Sequence, residues 1–166
     1  PTMGYDQAYD QIVSVGEIIS TKIVSAYLTS VGIKNKWQDA RDFICTDNTY
    51  REGKVDWNAT EVKAKEKLQF ATENIVLTQG FIGSTSENFT TTLGREGSDY
   101  TASIIAYTMN AEDVTIWKDV PGVLNADPKF FADTVMLNQL SYQDAIELTY
   151  YGATVIHPKT IKPLQN

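Results

Sequence analysis

Residues 93–102 read LGREGSDYTA. Two glycines flank an Arg and a Glu, and a helix that begins Ser-Asp follows at once. Backbone N–H groups and the positive end of that helix are thereby set beside a fixed guanidinium, which makes a receptor for an anion. Arg95 suits a bidentate grip on a carboxylate, and Asp99 could accept from an ammonium or orient a catalytic lysine. The plain alternative is a tight turn in which Asp99 caps the helix and Arg95 is solvated.

Outward from this stretch the pattern alternates helices with buried strands. Ser98 to Met109 forms the helix itself, with Tyr100, Ile104, Ile105 and Ala106 as its apolar contacts. Upstream, NIVLTQ at 74–79 is a short apolar run of the kind covered on both faces in a parallel sheet. It ends at Gly80, where an open α/β sheet brings a ligand to the strand's carboxyl edge. Further upstream, Tyr5 to about Val31 has helical spacing. Ala8, Ile12, Val15, Ile19, Ile23, Ala26 and Tyr27 share one side, and Val13, Val24, Leu28 and Val31 share another. A helix apolar on two sides is expected between layers, with Glu17 partly desolvated beside the second strip.

The other segments are simpler. DNTYREG at 47–53 is turn-like, and Thr60 to Glu73 is a Lys/Glu-rich helix whose Lys63, Lys65, Glu66 and Lys67 form a solvated face. Downstream the pattern gives a strand at Val114 to Trp117, a loop at 119–128 and a helix from Ser141 to Tyr151 closed by Gly152. A strand at Thr154 to Ile156 and a helical turn after Pro158 complete it. The expected fold is α/β, a layered α/β/α sandwich around a mainly parallel sheet, in one domain over 1–166.

Composition narrows the function. The formal charge of −7, from 14 basic and 21 acidic side chains, disfavours nucleic acid as a partner. The single cysteine, Cys45, forms no internal disulfide and suits a reducing cytoplasm. Apolar runs are interrupted before the roughly 20 residues of a membrane span, so no membrane is expected. Pro1 rather than Met opens the chain, so the sequence is expected to begin inside a longer one. His157 is the only histidine and has no partner at ligand spacing, so no protein metal site is expected. No GxxxxGK[ST] cradle occurs. TIWKDVPGVLNAD at 115–127 could set Lys118 near phosphates and line a nucleotide pocket with Trp117 or Leu124, although Lys118 solvated and Asp119 opening a turn is the commoner fate.

Five segments, taken in order, resemble the aspartokinases of the amino-acid kinase superfamily, which have the carbamate kinase-like fold. They are SVGEIIS at 14–20, TQGFIGS at 78–84, LGREGSDYTA at 93–102, IWKDVPGVLNADP at 116–128 and YGATVIHP at 151–158. The resemblance implies that Glu17 receives the ammonium of L-aspartate and Arg95 a carboxylate, with Gly80 and Phe81 beside the substrate. Asp99 would lie between substrate and phosphates and organise the catalytic lysine. Lys118, Asp119, Leu124, Lys129 and Thr154 would face ATP. The implied reaction is transfer of the γ-phosphoryl group of Mg2+-bound ATP to the aspartate side-chain carboxylate, in a protein expected to be a homo-oligomer.

The family's lysine-glycine-glycine-threonine opening and its C-terminal ACT domains are absent, so the chain alone is expected to be inactive and the fold incomplete. Thr154 stands where some members carry lysine, and Lys118 where some carry threonine. Another kinase of the superfamily, or a ligand-binding module without catalysis, is the competing reading.

Overall fold

The computed structural model describes residues 3–151 and 155–165. Helix α1 spans Tyr5–Ser30 and ends in a Schellman turn, in which Ile33 N–H donates to the Leu28 carbonyl and Gly32 N–H to that of Thr29. Its flank is polar at the contact. Fully buried Asp10 accepts from Thr92 N–H (2.9 Å), the Thr92 hydroxyl (2.9 Å) and Arg51 N–H (2.8 Å). Gln11 donates to the Thr90 carbonyl at 2.7 Å and accepts from Thr90 N–H at 3.1 Å.

Burial of α1 between layers is not what the structure shows. Ile12, Val15, Ile19, Ile23 and Tyr27 are exposed, and Asp10 and Ser14 are its buried residues. The helix meets its neighbours through hydrogen-bonding side chains, so its apolar stripe is left facing outward among the described residues. By length and composition α1 could cross a membrane, with a mean hydropathy of 1.3 over 18 residues, although no uninterrupted apolar run of that length exists. Its Asp10 and Gln11 are committed to bonds with residues 90–92.

Two short sheets follow. Strand β1 (Lys36–Trp37) pairs in parallel with β2 (Val76–Leu77), matching Lys36 to Val76. Strand β3 (Ile82–Ser84) pairs antiparallel with β4 (Thr90–Thr92), and the 44–46 segment runs parallel to β3 through a bridge from Cys45 to Ser84. The α/β class holds, with one parallel and one antiparallel strand pair among the described residues.

Helix α2 (Trp57–Lys67), capped by Asp56, starts three residues before the expected position and ends six before it. Helix α3 spans Gly97–Thr108 and packs against α2. Phe43, Ile44, Ala64, Leu68, Ile82, Leu93, Tyr100 and Ile104 form the core, into which Trp57 sets its ring edge-on to Tyr100 at 6.4 Å.

Beyond α3 the expected strand at 114–117 is irregular chain, and Trp117 is 91% exposed. No strand lies alongside it among the described residues, and an apolar run without a partner ladder has nowhere to satisfy its backbone. Helix α4 (Tyr142–Tyr150) begins with a capping box between Ser141 and Asp144. Helix α5 (Pro158–Ile161) is capped by His157, whose Nδ1 accepts from Lys159 N–H at 3.1 Å. Gly152 and Thr154 lie outside the described residues, and Val155 and Ile156 form a bend rather than a strand. The Lys159 ammonium then reaches back to the Leu93 carbonyl at 2.8 Å and sits 4.7 Å from the centre of the Tyr100 ring. Burial pushes the pKa of that ammonium down.

Candidate active site

The 93–99 stretch leaves β4, turns through two left-handed residues and enters α3. Gly94 has φ 76° and Glu96 has φ 51°. Ser98 and Asp99 were the expected caps. The cap position is instead occupied by Glu96, without a side-chain cap bond, and Ser98 and Asp99 stand in the first turn. Asp99 therefore keeps its carboxylate free for a side-chain partner, at a helix end that favours negative charge.

That partner is Lys118. Its ammonium lies 2.6 Å from Asp99 Oδ2 and 3.8 Å from Glu96 Oε2, and all three side chains are largely buried. The Asp99 carboxylate holds the Lys118 ammonium above the usual lysine range, against the opposing effect of burial, with Glu96 and Asp119 adding to it. The resemblance implies that Asp99 lies between substrate and phosphates and that Lys118 faces ATP; the structure pairs the two and adds Glu96, to which the sequence assigns no role.

Arg95 is exposed and lines a cleft of about 500 Å³ together with Phe81, Gly94 and Thr92. Asp6 and Tyr9 of α1 and residues 49–52 complete the lining. Arg51 there has φ 68°, and its guanidinium stacks 4.7 Å from the Tyr9 ring centre. Arg51 and Arg95 share this concave surface with Asp6 and Glu52, and Asp6 pairs with Arg51 at 3.5 Å, so the cleft offers charges of both signs, with Arg95 suited to a carboxylate.

Phe81 adopts φ 73° and is held by its N–H to the Thr101 hydroxyl (3.0 Å) and by its carbonyl, which accepts from Leu93 N–H (2.8 Å). Gly80 was expected to open the strand end to a ligand. What approaches it is α3, because a Cβ at Gly80 would stand 2.8 Å from the Cα, Cβ and Oγ of Ser98. A Cβ at Gly97 would likewise stand 2.6 Å from Phe81 Cδ2. The two glycines let the 80–81 turn and the start of α3 close on each other.

Glu17 is half-buried on α1. One turn further along, Thr21 donates to the Glu17 carbonyl (2.9 Å) and accepts from Gln79 Nε2 (2.9 Å) and Trp37 Nε1 (3.1 Å). Fully buried Gln79 also accepts from Ala40 N–H at 2.8 Å. It thereby ties the Glu17 turn to the end of β2. Gln79, Thr21 and Asp10 position the site's elements and were not singled out from sequence. Each stands beside other polar residues, Asp10 before Gln11, Thr21 between Ser20 and Lys22, Gln79 after Thr78, so no local pattern marks it.

Of the remaining expected residues, Asp119 adjoins Lys118 and adds to its field, whereas Leu124 and Lys129 follow further along the loop. Asp119 and Lys129 are exposed, and Leu124 is half-buried opposite Met136 in a bridge of its own. Lys129 N–H donates to Asp127 at 2.8 Å. Thr154 is outside the described residues. Among the described residues no group of three His, Cys, Asp or Glu side chains could hold a metal ion.

Comparison with known proteins gives the family and the fold. The amino acid kinase family matches residues 2–166. A bifunctional aspartokinase/homoserine dehydrogenase 2 of Arabidopsis thaliana is 38% identical over 93% of the chain, which spans 17% of that protein. The lysine-sensitive aspartokinase 3 of Escherichia coli K12 is 37% identical over 93% of the chain, which spans 34% of it. The crystal structure of E. coli aspartokinase III in complex with aspartate and ADP superposes with a TM-score of 0.89 at 34% identity, covering 95% of this chain and 36% of that one. The chain thus spans about a third of these relatives' length or less. With relatives in sequence and in fold that are aspartokinases, the chain belongs to the amino acid kinase family.

Proposed function

We propose that residues 1–166 are the central and C-terminal part of an aspartate kinase catalytic domain, which transfers the γ-phosphoryl group of ATP to the side-chain carboxylate of L-aspartate. The product is 4-phospho-L-aspartate, placed at the first step of lysine, threonine and methionine biosynthesis in the cytoplasm. The observation that carries the reading is Arg95 lining a cleft just ahead of the cap of α3, while Asp99 in the first turn of that helix holds Lys118, so that a carboxylate receptor and an anchored cation both belong to the start of α3. It is supported by the likeness to an aspartokinase crystallised with aspartate and ADP.

In this scheme Arg95 binds a substrate carboxylate, and Glu17 on α1 receives the ammonium. Phe81 and Gly80 shape the wall between them, and the segment holding Asp119, Leu124, Lys129 and Thr154 faces the nucleotide. The attacking carboxylate is ionised at neutral pH and needs no general base. Catalysis then rests on in-line placement and on positive charge at the phosphoryl oxygens. Mg2+ bound to the phosphates of ATP would add positive charge at the phosphoryl oxygens. The apolar stripe of α1 supports a homo-oligomer in the longer protein.

The test is coupled ADP release by the full-length protein with aspartate, glutamate and acetylglutamate, with and without Arg95→Ala. Aspartate-specific turnover that falls about a hundredfold or more in the variant is expected, since a charged anchor acting in the transition state is worth that much. Turnover with another acceptor, or an indifferent variant, sinks the assignment. The isolated chain is expected to give no turnover.

A further inference from the structure

The Lys159 side chain is half-buried, and its ammonium is in no ion pair among the described residues. It donates instead to the Leu93 carbonyl at 2.8 Å and stands 4.7 Å from the centre of the Tyr100 ring. Burial lowers its pKa, and the charge of Glu52, a residue of the Arg95 cleft, opposes that only in part. A cation taken from water without a carboxylate beside it is costly to keep. Attachment of α5 does not require it, since Ile161 of that helix is itself buried and α5 packs on α3.

What the ammonium holds is the entrance to the anion-receiving turn. Leu93 is fully buried, its N–H donates to the Phe81 carbonyl at 2.8 Å and its carbonyl takes Lys159, so both polar groups of its backbone are engaged. The peptide bonds of the described residues are all trans. In a trans peptide the carbonyl and the following N–H lie in one plane, so fixing the Leu93 carbonyl fixes the plane that enters Gly94. Gly94, at φ 76°, is the point where the backbone turns with least steric restraint of its own, and Arg95 comes next. A clamp on the preceding carbonyl therefore acts where the direction of Arg95 is otherwise least determined. Lys159 is not among the residues lining the cleft, so it reaches a bound ligand through Arg95.

We propose that Lys159 is a positioning residue for the acceptor: by clamping the Leu93–Gly94 peptide from α5, it holds the Arg95 guanidinium in the direction from which it receives the substrate carboxylate. The proposal rests on the aspartate kinase reading and deepens it.

The experiment uses the full-length protein in five forms: wild type, Lys159→Met, Lys159→Arg, Arg95→Ala and the double variant Lys159→Met with Arg95→Ala. Met keeps most of the apolar stem and removes both the charge and the donor. Lys159→Met is expected to lower kcat/KM for aspartate about tenfold while the KM for ATP stays within about twofold. Lys159→Arg, which keeps charge and donor, should recover most of that loss. Once the guanidinium is gone the clamp has nothing left to aim, so adding Lys159→Met to Arg95→Ala should change kcat/KM by less than about twofold. A merely structural role predicts the opposite pattern, with both substrates affected and the two losses additive.

Additive losses, a matching rise in the KM for ATP, or a Lys159→Met variant within about twofold of a working wild type overturn this inference and leave the kinase reading standing. If Lys159→Met does not fold, Lys159→Gln, uncharged and shorter by one bond, takes its place in the cycle under the same criteria. A wild type silent with aspartate overturns both.

Discussion

Replacing Asp10 with Ala should destabilise the fold far more than a single acidic residue on a largely exposed helix would suggest. The carboxylate is fully buried and accepts three hydrogen bonds of 2.8–2.9 Å, two of them from the backbone N–H groups of Arg51 and Thr92. Ala leaves both amides without that acceptor, at about 1–3 kcal/mol for each unsatisfied buried donor. With relaxation and partial hydration around Arg51, the expected loss is about 3–5 kcal/mol, a large share of the roughly 5–15 kcal/mol that holds a domain together. For a chain of this length that corresponds to a fall in Tm of about 6–20 °C.

Asp10→Asn separates bonding from charge. An amide with its oxygen toward the two N–H groups and its NH2 toward the Thr92 hydroxyl keeps every bond, so about 1–2 kcal/mol is expected, the added strength of a charged acceptor. Urea unfolding followed by far-ultraviolet circular dichroism, with an unchanged m-value, measures both variants. An Ala variant within about 1 kcal/mol of wild type, or an Asn variant as damaged as Ala, would refute this account.

Two further outcomes follow from other contacts. Gly80→Ala forces a Cβ to within 2.8 Å of Ser98 and should cost about 1–3 kcal/mol, read as a lowered Tm, because a backbone atom has to move; an unchanged Tm would mean that the turn and α3 are not pressed together. Burial raises the Asp39 pKa, but hydrogen bonds and charge from Arg41 outweigh it and leave the group below 3.8. The unfolded chain then binds the proton more readily, so this stabilisation is present above about pH 4 and is lost as pH falls through the lowered value. The Tm gap between wild type and Asp39→Asn should accordingly narrow in acid, and a gap independent of pH would count against the ion pair.

Helices were the part of the fold that local pattern could reveal. The spacing of Ile12, Val15, Ile19 and Ile23 sets α1 to within a residue at its end, since helical bonds are local. The strands were harder, because a two-residue element such as Lys36–Trp37 exists through its pairing with Val76–Leu77, forty positions away. The apolar stripe of α1 predicted burial, yet the helix is attached by Asp10 and Gln11, which a periodicity of apolar residues passes over. At the site, Arg95 and Phe81 were read from sequence and do share a cleft. The Asp99–Lys118 contact spans a loop whose path no local rule fixes, and Gly80 and Gly97 were legible as turn residues but not as partners of Ser98 and Phe81.

The bond from Lys159 to the Leu93 carbonyl joins residues 66 positions apart, and its acceptor immediately precedes Gly94 and Arg95. On a ribosome adding roughly 5–20 residues per second, Leu93 waits on the order of 3–13 s for that ammonium to be synthesised. The anion-receiving turn is therefore among the last parts of this chain to acquire its full set of supports during translation, well after the core strands beside it have paired.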